Sequence, residues 1–309
     1  MKKKDFLSIA DFSESELIHI LDVAQALKKE LKEGGNKPIL KGKSMALVFQ
    51  KPSLRTRVSF EMGMHQLGGY AFYLSPDEVG LGKREAVKDV AMVLAGYVDA
   101  IMARVFQHQH LIELAEFSGI PVINGLSDYN HPCQAMADAL TIIEEFGKLK
   151  GINIAFIGDG NNVAVSLMDI ATKLGANFSI ANPKGYDMPE EAISAAKEFA
   201  KLSGSRLVFS NDPYEIVKNA QVIYTDTWIS MGQESEAEER KKAFIPYQVN
   251  QKLVDAAPKD VIVMHCLPSH RGQEITDEVQ DGPHSRVIPQ AHNRLHAQKG
   301  IMAYLLADL

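Results

Sequence analysis

Short apolar runs alternate with helical patterns along almost the whole chain, and this alternation limits the fold more than any other feature of the sequence. Strand-like runs fall at 44–49, 70–74, 100–103 and 121–124, then at 152–157, 178–181, 206–210, 222–225 and 261–265. Each is followed by a helical or loop segment. Strand and helix in turn predict mostly parallel sheets covered by helices, because parallel neighbours need a crossover between them. The first helix is expected over 13–32, where Leu17, Ile20, Leu21, Ala24 and Leu27 recur at helical spacing and Ser13 with Glu16 forms a possible capping box. Further helices are expected over 56–67 and 135–146. A glycine- and lysine-bearing break follows at 147–151, so the domain boundary is placed near Lys150. The 309 residues suit two domains at roughly 100–200 residues each. The expected fold class is therefore α/β, two doubly wound domains with mainly parallel sheets, over 1–150 and 151–290.

Charge and cysteine content narrow the functional classes. With 33 basic and 39 acidic residues the formal net charge is -6, so the global field opposes nucleic acid and anionic membranes. Any anionic ligand must then be caught by a local basic site. Cys133 and Cys266 give no disulfide framework and suit a reducing compartment, with cytoplasm as the default. Lys2, Lys3 and Lys4 precede Asp5 and Asp11, which interrupt any apolar signal core, and no run reaches the roughly 18 apolar residues of a membrane span. The charge run 234–242 reads most simply as a solvated loop or helix start.

Several loops carry chemistry. Residues 51–57, KPSLRTR, lie between a strand and a helical pattern. A helix start offers unpaired N–H groups and the positive dipole end, Ser53 and Thr56 add hydroxyls, and Arg55 can fork onto two phosphate oxygens. Arginines there oppose the dipole, which an anionic ligand would explain; the alternative is a helix cap with two surface arginines. In NHPCQ, Pro132 takes a first-turn position, leaving His131 near the cap with Gln134 one turn on, although a lone capping histidine is more often structural. GDGNN, 158–162, invites a dinucleotide reading, but Val163 replaces the third glycine and Asn182-Pro183 stands where a ribose-binding acid belongs. Paired asparagines suit a polar small molecule better. DTWISMG from Asp226 and HCLP from His265 sit at carboxyl ends of strands, where open α/β sheets bind ligands. His265 and Cys266 on an extended segment point apart, which argues against a shared metal ion and against a Cys/His nucleophile pair. His108 and His110 are expected in a loop.

Together SLRTR, HPCQ, GDGNN, DTWISMG and HCLPSHRG, in this order and spacing, resemble the aspartate/ornithine carbamoyltransferase family over essentially the whole chain. The last two resemble its ornithine branch. The resemblance implies a carbamoyl-phosphate domain completed by a C-terminal helix, 291–309, and a second domain for the amino acid. It implies Ser53, Leu54, Arg55, Thr56, Arg57 and Arg104 for carbamoyl phosphate, with His131, Gln134 and Arg294 at the carbamoyl group. Asn161, Asn162, Asp226, Ser230 and Met231 would hold ornithine, and Cys266 and Leu267 would line its reacting end. The implied reaction gives citrulline and phosphate without a cofactor or metal, in a homotrimer or an assembly of trimers, with no nucleic-acid or membrane partner.

Two positions depart from the family pattern. Gly80 stands where Gln or His is usual in a loop that reaches the neighbouring subunit, leaving Lys83 and Arg84 as replacements. His292 stands where Glu is usual, just before Asn293-Arg294, and so bears on the orientation of Arg294. A nicotinamide oxidoreductase and a non-catalytic sensor of carbamoyl phosphate or an amino acid are the competing functions.

Overall fold

The computed structural model describes residues 5–229 and 234–307. The chain forms two compact units: one runs up to Leu140 and takes in the chain again from Asn293, and the other is Thr141–His292. In the first, β1 (Ser44–Phe49), β2 (Tyr70–Leu74), β3 (Ala100–Arg104) and β4 (Val122–Leu126) form a parallel sheet in the order β2-β1-β3-β4. In the second, β5 (Asn153–Ile157), β6 (Asn177–Ala181), β7 (Leu207–Ser210), β8 (Val222–Thr225) and β9 (Ile262–His265) are parallel in the order β7-β6-β5-β8-β9. Each predicted strand is present, with ends moved by one or two residues. Both sheets are doubly wound, so each has one place where the chain reverses its direction of progress, between β1 and β3 and between β5 and β8. The crevice beyond the strand ends at such a point is where these sheets bind ligands.

Burial explains why the strands read as unbroken apolar runs. In β1 all but Ser44 is buried, and β4 is buried throughout, because helices cover both faces of the sheet. The first helix, Glu14–Lys32, has the expected capping box: the Ser13 side chain accepts from the Glu16 N–H and the Ser13 N–H donates to Glu16 Oε2 at 2.8 Å. The helix expected from 56 starts at Leu54, capped by Ser53, and the helix of 135–146 opens at Pro132, the first-turn position expected for that proline. His108 and His110 are not in a loop. They open the helix His108–Ser118, where His108 Nδ1 pairs with Ser127 Oγ and His110 Nδ1 with Gln50 Nε2.

The C-terminal helix, Val287–Leu306, carries its distal part into the first unit. Gly300 makes close packing possible, for a Cβ there would lie 2.6 Å from the Ile20 carbonyl oxygen and 2.9 Å from Ala24 Cβ. Polar ties fix the register: Tyr304 Oη donates to Glu16 Oε1 at 3.0 Å and Lys28 Nζ to Asn293 Oδ1 at 2.7 Å. Lys299, fully buried, donates to Asn36 Oδ1 at 2.7 Å and Gln66 Oε1 at 3.0 Å.

Burial holds the Lys299 ammonium down to about 8, below the ordinary lysine value of 10.5. The unfolded chain therefore binds the extra proton between those two values, and stability must rise with pH across that window. Urea unfolding at pH 7.5, 9 and 10 is expected to show this rise in the wild type and to show it flattened in Lys299→Met. Equal pH dependence in both proteins would contradict the assignment.

Candidate active site

The first unit gathers its site around one hydroxyl. Ser53 caps the helix Leu54–Gln66, its Oγ accepting from the Thr56 N–H, and this sets fully buried Thr56 at the carboxyl end of β1. Thr56 Oγ1 accepts from Ser53 Oγ at 3.2 Å, from Arg104 Nη1 at 3.4 Å and from Arg294 Nη2 at 3.4 Å. Arg104 is the last residue of β3, paired in register with Phe49. Arg294 reaches the same point from the C-terminal helix and donates from Nη1 to Gln134 Oε1 at 2.9 Å. His131 stands immediately ahead of the helix Pro132–Phe146 and is 4% exposed. Burial, reinforced by Arg294, Arg104 and Arg55, holds its imidazole well below the usual histidine range, so it is uncharged at neutral pH.

Other expected residues of this unit lie apart from that cluster. Arg57 is directed elsewhere: its Nε donates to Glu61 Oε1 at 3.1 Å and its guanidinium sits 4.1 Å from the centre of the Tyr73 ring. Leu54 is 76% exposed. Gly80 takes φ 57 as the C-cap of the short helix Pro76–Val79, and a Cβ there would lie 2.6 Å from Arg84 Cβ. This turn therefore calls for glycine, and the expected Gln or His would not fit it. Lys83 is exposed on the same turn, and Arg84 Nη1 donates back to the Glu78 carbonyl. His292 is exposed as well, while Arg294 takes its orientation from Gln134 and Thr56.

The second unit builds a carboxylate site on β5, β8 and β9. Asn161 caps the helix Asn162–Lys173, Oδ1 accepting from the Val163 and Ala164 N–H groups, so its Nδ2 turns to Asp226 Oδ2 at 2.8 Å. Asn161 thus orients Asp226, while Asn162 occupies the first helical position. Cys266 Sγ donates to Asp226 Oδ1 at 2.9 Å, and Asp226 itself is 6% exposed. Ser230 and Met231 lie outside the described residues.

At the HCLP turn the expectation of divergent side chains fails. Asp226, His265 and Cys266 have potential metal-ligand atoms within 4.8 Å of one another, the one such group among the described residues. β9 ends at His265, and just beyond Cys266 the chain turns, with Leu267 at φ 58. Both ring nitrogens of His265 are nevertheless engaged. Leu267 N–H donates to Nδ1 at 2.8 Å, which leaves Nε2 as the protonated nitrogen facing Glu274 Oε1 at 3.0 Å. A cation would have to displace one of these contacts. Cys133 is no nucleophile either: it is fully buried, donates to the Asn124 carbonyl, and is pushed up to about 12.

Sequence reasoning missed Asp138, to which Gln134 Nε2 donates at 2.8 Å, and the pair Asp159–Arg240. Arg240 lies in the charge run expected to be solvated, yet its side chain is 8% exposed. It donates to Asp159 Oδ2 at 2.9 Å, to Glu236 Oε2 at 3.0 Å and to the Trp228 carbonyl at 3.2 Å. Burial raises the Asp159 carboxyl above its ordinary range, and Arg240 opposes that rise. No local signal separated this arginine from its charged neighbours.

Comparison with known proteins decides the family. Residues 4–144 match the aspartate/ornithine carbamoyltransferase carbamoyl-P binding domain and residues 150–305 match the Asp/Orn binding domain of the same family. The chain belongs to the aspartate/ornithine carbamoyltransferase family. Among relatives in it, an ornithine carbamoyltransferase of Bacillus subtilis is 53% identical over 303 residues, covering 98% of this chain and 94% of that one. One from Thermococcus kodakarensis is 52% identical over 306 residues, covering 99% and 97%. The solved structure of the ornithine carbamoyltransferase from Pyrococcus furiosus superposes with a TM-score of 0.96 at 50% identity, over 99% of this chain and 98% of that chain.

The Asp159–Arg240 contact makes its own prediction for this family member. Removing one partner of a buried ion pair typically costs about 3–5 kcal/mol. Arg240→Met is expected to lose about that much in urea unfolding, and Arg240→Met with Asp159→Asn to lose less than the two single losses added. Strict additivity would show that the two side chains do not act as a pair.

Proposed function

We propose that this protein transfers the carbamoyl group of carbamoyl phosphate to the side-chain amine of L-ornithine, giving L-citrulline and phosphate. The observation that carries this reading is the meeting of the Arg104 and Arg294 guanidinium groups on the Thr56 hydroxyl at the carboxyl ends of β1 and β3, with the buried His131 close enough to feel Arg294, Arg104 and Arg55. Like charges gathered in one place require an anion, and a phosphate with an adjoining carbamoyl oxygen supplies two sites of negative charge. Ser53, Leu54, Arg55, Thr56 and Arg57 form the phosphate end, with Arg57 recruited from its place beside Glu61 and Tyr73. Arg104, Thr56, Arg294 and His131 donate to the oxygen that becomes negative as the amine adds to the carbamoyl carbon. An uncharged imidazole can donate without adding a fourth positive charge.

In the second unit Asp226, fixed by Asn161 and Cys266, pairs with the α-ammonium of ornithine, and Asn162, Ser230 and Met231 hold the rest of the amino acid. Cys266 and Leu267 line the reacting end. The amine, with an ordinary pKa near 10.4, must enter as the free base, and the departing phosphate takes the proton lost on addition. No cofactor or metal takes part. The competing dinucleotide reading lacks its third glycine, Val163 being in that place. Incubation with carbamoyl phosphate and ornithine is the direct test: citrulline supports the reading, binding without turnover favours a sensor, and binding of NAD alone favours an oxidoreductase.

Arg55→Ala is expected to lower carbamoyl-phosphate use by about a hundredfold or more, since each charge-assisted hydrogen bond is worth about 1.5–3 kcal/mol and 1.4 kcal/mol is tenfold. Kinetics within about twofold of wild type would remove Arg55 from the phosphate site. Putrescine, which lacks the α-carboxylate, is expected to be a poorer acceptor than ornithine.

The proposed assembly is a homotrimer, or a set of trimers, in the cytoplasm. Leu54, Val58 and Met62 support it: they recur every fourth residue on one exposed helix face, 76%, 45% and 40% accessible. Among the described residues no helix is long and apolar enough to cross a membrane. In such a trimer the turn at Gly80 extends Lys83 toward the neighbouring phosphate site. Mixing inactive Lys83→Ala with inactive Arg55→Ala subunits is then expected to restore activity, because some mixed trimers contain an intact site. Full activity of Lys83→Ala alone would exclude the role.

A further inference from the structure

Asp138 is fully buried in the helix Pro132–Phe146. A carboxylate in such surroundings is costly unless it is hydrogen-bonded, so an acid here calls for a purpose. One partner is Gln134, one helical turn earlier, whose Nε2 donates to Asp138 Oδ1 at 2.8 Å. The other end of the same amide faces Arg294, whose Nη1 donates to Gln134 Oε1 at 2.9 Å. An ionised carboxylate only accepts and a guanidinium only donates, so the amide has one orientation, nitrogen toward Asp138 and oxygen toward Arg294.

We propose that Asp138 is a positioning residue that fixes the Gln134 amide so that its oxygen is offered to the N–H groups of the carbamoyl moiety. This rests on the reading of the first unit as the carbamoyl-phosphate site. Arg294 alone does not secure the orientation: it also donates to Thr56, and an anion in the cradle competes for the same guanidinium. Asp138 is tied to Gln134 by helix geometry and holds the amide whether or not a ligand is bound. A turned amide would set its NH2 against both the guanidinium and the carbamoyl nitrogen, donor facing donor.

The test is citrulline formation by wild type, Asp138→Leu, Gln134→Ala and the double variant, with circular dichroism as a check of folding. Losing one hydrogen bond to a charged group corresponds to a loss of about ten- to a hundredfold. Asp138→Leu is expected to lower kcat/KM for carbamoyl phosphate by about that factor, to leave the KM for ornithine within about twofold, and to cost less than about threefold more once Gln134 is Ala. Asp138→Asn keeps an accepting oxygen and is expected to stay within about fivefold of wild type. Equal losses from Asp138→Leu in both backgrounds would mean a merely structural acid and overturn the proposal. If Asp138→Leu does not fold, Gln134→Glu decides: it opposes two buried carboxylates, and adding Asp138→Asn, which can donate back, should recover at least about tenfold. No recovery would overturn the proposal. Absence of citrulline from the wild type would instead refute the functional reading, and this role with it.

Discussion

Arg294 must be held in place while almost wholly buried, and the first unit is organised around that requirement. A guanidinium removed from water needs acceptors, and two of them come from residues far away in sequence, Gln134 Oε1 at 2.9 Å and Thr56 Oγ1 at 3.4 Å. The contact therefore forms only when the C-terminal helix has docked. That docking depends in turn on Gly300 opposite Ile20 and Ala24, and on Lys28, Lys299 and Tyr304 tying the helix at three further points. Stability and site assembly are thus one process in this unit, since the helix that completes the core also brings the last guanidinium.

The parallel sheets set where everything else goes. Because β1 and β3 are neighbours in space but separated in sequence by β2, the loops after them diverge, and Thr56 and Arg104 meet across the gap between them. The second sheet repeats the device, with Asn161 after β5 and Asp226 after β8, joined at 2.8 Å. The two sites are opposite in charge for the same topological reason that they exist: each loop is free of the core's packing demands and can carry whatever polar group the ligand needs. The first collects arginines and keeps its histidine neutral; the second presents a carboxylate with a donor on each oxygen.

What could be read in advance follows from the range of the interactions involved. All nine strands were legible because a doubly covered parallel strand is a continuous apolar run, and the capping box of the first helix because Ser13 and Glu16 are three residues apart. The HPCQ helix start was local for the same reason. Arg240 was not legible, since its neighbours in the run are also charged and only the fold brings Asp159 and the Trp228 carbonyl to it. Asp138 carried no signal beyond being an acid in a helix. The relation of His265 to Cys266 was not legible because β9 ends at His265, so the alternation of an extended strand does not carry on to Cys266. The helix start at His108 was not legible either, because one without a side-chain cap leaves no mark in the sequence.

The turn at Leu267 shows how the second unit holds an unfavourable conformation near its reactive groups. A left-handed backbone at a branched residue costs of order 1–3 kcal/mol, so it persists only where the surroundings enforce it. Here the enforcement is a hydrogen bond from the Leu267 N–H to His265 Nδ1, which needs that nitrogen unprotonated. Glu274, fully buried, satisfies the opposite ring nitrogen and so fixes the tautomer that makes the bond possible. Neither His265 nor Glu274 is a residue that the proposed chemistry requires at the substrate. Their effect passes through the backbone to Cys266, whose thiol is directed at Asp226, so that both oxygens of that carboxyl group are anchored.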